Sequence, residues 1–173
     1  MLIYEDRVKT NKETFIAKVK EIAQRLEIDP NWLMQTFMIE SSMNHQAVNP
    51  TTNATGLIQF MPSTALSLGT SVAALKAMSN VQQLDWVQRY FMPYKGRMKS
   101  YVDVYFTVFF PLAVGKPDDW VLQTSTLSAQ TIARQNSPFD LNKDGKLTVA
   151  EIREVIMRKV PADWRDYFFK KKE

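Results

Sequence analysis

Apolar positions recur at helical spacing along most of the chain, and few stretches alternate with the period of two that a half-buried strand requires. Phe15, Val19, Ile22 and Leu26 share one helical face. Thr10-Asn-Lys-Glu13 ahead of them reads as a capping box, so a first amphipathic helix is expected from about Lys12 to Leu26. Asp29-Pro30 fits an N-cap followed by a first helical position. The second helix should carry Leu33, Met34, Phe37 and Met38 inward and end near Glu40 to Ser42. Residues 43–56 hold Asn44, Asn49-Pro50, Thr51, Thr52, Asn53 and Gly56, which is turn chemistry, so a loop with short extended pieces is expected. A third helix should open at Pro62-Ser-Thr-Ala65. Ser79-Asn-Val-Gln82 reads as a second capping box, leading into a helix with Leu84, Val87, Tyr90 and Phe91 on one face. Pro93 to Gly96 breaks it. Tyr101 to Phe110 is apolar on nearly all sides and predicts a buried central helix. Pro111 and Gly115-Lys116-Pro117 close it. Further helices are expected over about Thr126–Arg134 and Val149–Arg158. The fold class is therefore mainly α.

The 173 residues suit one compact domain with a small appendage. We expect a main domain over 1–125 and a C-terminal segment over 126–173 packed on it. With no cysteine, disulfides play no part. Net charge is +4, and much of it sits in Lys170-Lys171-Lys172, read as a solvated, frayed tail. No aromatic-basic stripe of the kind that grips single strands is present, so no nucleic-acid partner is expected. The start, Met-Leu-Ile-Tyr-Glu-Asp-Arg, lacks the basic opening and apolar run of a signal peptide. The apolar run from Val104 to Val114 is too short to span a bilayer, so no membrane insertion is expected. Work outside the cytoplasm would then need another means of delivery.

One segment carries metal chemistry. In residues 140–151, Asp140, Asn142 and Asp144 take positions 1, 3 and 5 of a twelve-residue loop. Gly145 stands at position 6, where the chain turns sharply. Lys146 would lend its carbonyl at position 7, and Thr148 stands at position 9. Glu151 at position 12 can bind with both oxygens. Leu147 at position 8 is apolar, as a core-facing point requires. These hard oxygen donors at this spacing form a calcium-binding EF-hand loop. No second such loop is present, so Ca2+ is expected to tie the C-terminal helix in place rather than to act as a switch. Metal binding would then add folding stability.

Glu40 ends the hydrophobic stretch Trp32 to Glu40. A carboxyl held against a dry surface stays protonated to higher pH and can serve as a general acid. Glu40-Ser41-Ser42 is followed, after the polar loop, by Gly56-Leu-Ile-Gln-Phe-Met-Pro-Ser-Thr-Ala65. This pattern resembles the lytic transglycosylases of the goose-type-lysozyme-like group, over about residues 28–70. Gln83-Leu-Asp85 through Tyr90-Phe91, then Asp103-Val-Tyr105 through Pro111 to Pro117, is similar to the variant found in phage virion and tail proteins. The resemblance implies a lysozyme-like helical domain, here with an appended EF-hand. It implies cleavage of the bond between N-acetylmuramic acid and N-acetylglucosamine in peptidoglycan, with Glu40 as acid and then base. Ser41, Gln59, Met61 and Tyr105 would line the glycan cleft, and Asn49 and Tyr90 are further candidates. The family's Ala-Tyr-Asn-Ala-Gly motif is absent, and Tyr105 stands in for its tyrosine. Peptidoglycan strands are the implied partner, with other virion proteins beside them. The implied location is a phage virion, or delivery to the cell wall by another route.

Most glycosidases use two carboxylates. Between Ser41 and Leu84 the chain contains no Asp or Glu. That favours a one-acid mechanism ending in a 1,6-anhydro sugar. Asp85, Asp103, Asp118 or Asp119 folding toward Glu40 would instead support hydrolysis, making the chain a muramidase. A calcium-stabilised structural or glycan-binding module without catalysis is the remaining alternative. His45, the single histidine, reads as a polar loop residue. Met34, Met38, Met43 and Met61 read mostly as core filler, although Met61 matches a cleft position in the family.

Overall fold

The computed structural model describes residues 1–169, so the expectation for the Lys170–Lys172 tail lies outside the described residues. The chain is mainly helical. Its helices are α1 (Lys12–Leu26), α2 (Pro30–Ser41), α3 (Pro62–Leu68), α4 (Val72–Ala77), α5 (Asn80–Phe91), α6 (Tyr101–Phe109), α7 (Ala129–Gln135), α8 (Val149–Arg158) and α9 (Arg165–Phe169). Among the described residues β pairing is limited to isolated bridges. No described helix is long and apolar enough to cross a membrane.

The chain divides into two compact units, Met1–Gly96 and one beginning at Arg97. The division expected at residue 125 falls inside the second unit, which holds both α6 and the acidic loop.

In the first unit α1 packs on α2 and α5, and α5 also meets α3. Phe15, Val19, Ile22, Ala23 and Leu26 of α1 are all buried, as their spacing requires. Asp29 caps α2 as expected: its side chain accepts the Asn31 N–H at 2.9 Å, with Pro30 in the first turn. The Ser79 capping box also forms. Ser79 Oγ accepts the Gln82 N–H at 3.1 Å, and Gln82 Oε1 accepts the Ser79 N–H at 2.9 Å.

The capping box expected at Thr10 and Glu13 does not form. Asn11 caps α1 in a left-handed conformation with no side-chain cap bond. Its Nδ2 donates instead to Asn80 Oδ1 at 3.0 Å. A contact reaching 69 residues along the chain overrides the local signal. Helix α4, capped by Ser71, and α9 are additions to the expected elements. The helix expected from Thr126 starts at Ala129, where Ser128 supplies the cap.

In the second unit α6 is capped by Ser100 and buries Tyr101, Val102, Val104, Tyr105 and Phe106. Asp103 fastens the turns on either side of that helix. Its carboxylate accepts from Lys99 N at 2.9 Å, Ser100 Oγ at 3.0 Å and Gly115 N at 3.0 Å.

Candidate active site

Helix α2 is buried on every side from Asn31 to Phe37, and after it Met38, Ile39 and Glu40 rise to partial exposure. Glu40 thus reaches the surface at the last turn of an otherwise enclosed helix. The turn stops hard there. Ser42 and Met43 take left-handed conformations, with φ of 53° and 66°. Ser42 N donates to Met38 O at 3.0 Å and Met43 N to Phe37 O at 3.2 Å, which occupies carbonyls the helix end would leave unpaired.

Ser41 is buried, and its hydroxyl lies 3.0 Å from Phe37 O and 3.1 Å from Leu57 O. It therefore ties the end of α2 to the Gly56–Met61 segment. That segment is a tight fold of its own. Thr55 and Phe60 exchange backbone bonds of 3.0 and 2.9 Å, and Gly56 N donates to Ala47 O at 2.9 Å. These short bridges are the extended pieces expected in the loop. Gln59 is held at φ 53°, a costly conformation for a residue with a Cβ. Its Nε2 donates to Ala47 O at 3.2 Å and Gly56 O at 3.1 Å. Met61 next to it is exposed. Asn49 is also exposed, and its Oδ1 accepts from Thr51 N at 2.9 Å and Thr52 N at 3.1 Å, forming an Asx turn.

Tyr90 stands beside Glu40. Its ring meets Phe60 edge-on at 6.0 Å and Phe91 at 5.3 Å. Burial first, then Tyr94, then the Glu40 carboxylate push its phenol well above the ordinary tyrosine value. The first unit thus gathers Glu40, Gln59, Met61 and Tyr90 around the α2 terminus and the loop it holds. Tyr105 lies in the second unit, 4% exposed and stacked on Phe109 at 5.5 Å.

Gln83 belongs to the phage-like pattern, but motif reading gives it no role at the site. Its side chain is fully buried within the first unit. Oε1 accepts the Leu57 N–H at 2.7 Å, while Nε2 donates to His45 O at 2.8 Å and Leu75 O at 3.0 Å. One amide thus joins both ends of the loop that follows Glu40 to α4. Gly56 makes room for it: a Cβ there would stand 2.5 Å from Gln83 Oε1, and φ is 87°. The available signal was position. Gln83 shares the stripe Asn80, Gln83, Leu84, Val87 and Phe91, where a polar residue must be satisfied internally.

The acidic loop in the second unit folds on its own backbone. Asp140 Oδ2 accepts from Gly145 N at 3.1 Å, Asn142 Oδ1 from Asp144 N at 3.0 Å, and Asp144 Oδ1 from Lys146 N at 2.9 Å. Gly145 has φ 76° and Leu147 is fully buried. Glu151 Oε1 accepts from Leu141 N at 3.2 Å, and Oε2 from Thr148 N and Thr148 Oγ1, each at 2.9 Å. The loop exit is braced by Leu122 N to Leu147 O at 2.8 Å and Val149 N to Trp120 O at 3.1 Å. No group of three or more His, Cys, Asp or Glu side chains is gathered around one point suited to a metal ion among the described residues. Asp140 Oδ1, however, is buried without a hydrogen-bond partner.

The family model described as Transglycosylase SLT domain matches residues 18–86. The stretch contains Glu40, Ser41, Asn49, Gln59, Met61 and Gln83, and stops short of Tyr90, Tyr105 and the acidic loop. Over that stretch the chain is similar to a family of enzyme domains, the peptidoglycan lytic transglycosylases. Comparison with curated proteins and with solved structures gives no match.

Proposed function

We propose that the chain cleaves the β-1,4 bond between N-acetylmuramic acid and N-acetylglucosamine with Glu40 as its single catalytic carboxyl, leaving a 1,6-anhydro-muramyl product. The observation that carries this reading is the scarcity of other acids in the first unit after Glu40. Asp85 is the one other acid between Ser41 and Gly96, and its carboxylate is 2.8 Å from Lys18 Nζ. Protonated Glu40 gives its proton to the glycosidic oxygen as the C1–O bond breaks. The substrate's 2-acetamido oxygen stabilises the positive charge at C1. Glu40, now a carboxylate, takes the proton from the 6-hydroxyl, whose oxygen attacks C1. The proton count closes and no water is consumed. Tyr90, neutral beside Glu40, adds no competing negative charge there. Gln59 and Met61 line the sugar subsite, held by Ser41 and Gln83 from behind. Mass spectrometry of digested peptidoglycan tests the reading: anhydro-muropeptides support it, and products heavier by one water overturn it in favour of a muramidase.

The loop of Asp140, Asn142, Asp144, Lys146 and Glu151 is proposed to hold one structural Ca2+. The donor set is hard oxygen throughout, and the buried Asp140 Oδ1 without a partner suits a cation. Glu151 would exchange its bonds to backbone N–H groups for the ion. The ion supplies stability to the second unit and takes no part in bond cleavage. The tail-like pattern of residues 103–117 supports a virion enzyme that reaches the wall from the particle.

A further inference from the structure

A cavity of mixed polar and apolar lining lies within the first unit, on the turn that follows Glu40. It encloses 280 Å³, the small end of the range for ligand sites. Arg7 and Lys9 line it from the N-terminal segment, Ser42, Met43 and His45 from the turn after α2, and Asn80 from the start of α5. Its lining residues include two permanent cations and no carboxylate. Asp6 lies 3.6 Å from Arg7 Nε, but both side chains are largely exposed, and such a surface pair is worth little. Lys9 Nζ donates to Asp6 O at 3.3 Å, which leaves two of its three protons for another acceptor.

The wall is rigid before any ligand arrives. Asn80 is 5% exposed, donates to Thr10 O at 2.8 Å and accepts from Asn11 Nδ2 at 3.0 Å, so it locks the basic segment to α5. Gln83 holds His45 O, and the left-handed pair Ser42 and Met43 is fastened to α2. Burial pushes the His45 imidazole below its ordinary value, so it is neutral near pH 7 and offers hydrogen bonding rather than charge. The phenyl ring in the lining, Phe15, is 1% exposed and gives a sugar no face to stack on. Cationic, part apolar and too small for a disaccharide, the cavity suits a carboxylate carried on a peptide.

We infer that this cavity binds a free carboxylate of the peptidoglycan stem peptide, so that the enzyme reads the peptide as well as the glycan. The ligand's identity rests on the peptidoglycan reading above. Arg7 and Lys9 supply the charge, and the Ser42 hydroxyl and His45 ring supply neutral hydrogen bonds.

The test is titration of the intact protein with a free stem peptide up to about 10 mM, followed by chemical-shift perturbation. The expected result is a saturable shift at His45 and Ser42 with the acid peptide. Amidating the peptide's carboxylates, or the double variant Arg7→Glu/Lys9→Glu, should weaken binding at least about tenfold. Both side chains are exposed, so a melting curve matching the wild type should accompany the variant. Equal binding of the amidated peptide, no loss in the variant, or no shift at all would overturn the inference. Free glutamate binding as well as the peptide would overturn the peptide assignment. Clearance of peptidoglycan by the same preparation is read alongside. Clearance without peptide binding sinks this inference alone, whereas peptide binding without clearance sinks the enzymatic reading and leaves the pocket.

Discussion

Gln83 Oε1 accepts the backbone N–H of Leu57 at 2.7 Å, across 26 residues of chain, in a fully buried position. Together with the bonds to His45 and Leu75 it satisfies three backbone groups, two of them in fully buried bonds. Gln83→Leu keeps the volume and removes all three partners. Each unsatisfied buried group costs about 1–3 kcal/mol, so the variant should lose at least about 2 kcal/mol in urea denaturation. Gly56→Ala should lose a comparable amount, because its Cβ meets Gln83 in a left-handed backbone. Wild-type stability in both variants would remove Gln83 from the account of the site.

Glu40 is half-buried at a helix end and the core of α2 lies before it. Glu40→Gln preserves shape and removes the proton donor. Clearance of peptidoglycan should fall by about 10²–10⁴ while the far-UV spectrum and melting temperature stay close to wild type. A variant that clears the wall as fast as wild type would end the single-acid mechanism.

What could be read in advance depended on the range of the interaction. Asp29-Pro30 and Ser79-Gln82 are local signals, and both caps formed. Thr10-Glu13 had the same local form and failed, because Asn11 answers to Asn80 in another helix. Short helices such as α4 carry too few residues for a periodic pattern to stand out. Glu40, Gln59 and Met61 could be named as candidates because their spacing matches a motif. Gln83 could not, because its function is to hold three distant carbonyl and N–H groups, and only the fold brings those together. The acidic loop could be named as a set of candidate ligands, whereas the bracing of its exit by Trp120 and Leu122 is a tertiary fact.

Tyr90 keeps its proton to higher pH in the folded chain than in the unfolded one, where the ordinary value is 10.0. Its contribution to stability is therefore complete below that value and is lost as pH rises above it toward the folded value. Denaturation measured from about pH 9 to 11 should show stability falling at the alkaline end. In Tyr90→Phe that fall should be shallower. An identical slope in both proteins would mean that Tyr90 titrates normally and that its environment beside Glu40 is wetter than described.

Asp140 Oδ1 is a buried oxygen without a hydrogen-bond partner, and a cation bound there would relieve it. A ligand that binds only the folded state stabilises by about 2.7 kcal/mol at a hundredfold excess over its Kd. For a chain of this size that corresponds to a rise of about 5–10 °C in melting temperature on adding Ca2+. EDTA should reverse it. Asp140→Ala should abolish both the rise and the heat of binding in calorimetry, and Glu151→Gln should weaken them. Loss of clearance in EDTA should track the loss of folded protein, because Glu40 chemistry needs no metal. If EDTA stops clearance at a temperature where the protein remains fully folded, the ion has a role at the active site. If Ca2+ leaves the melting temperature unchanged, the loop is held by its own hydrogen bonds alone.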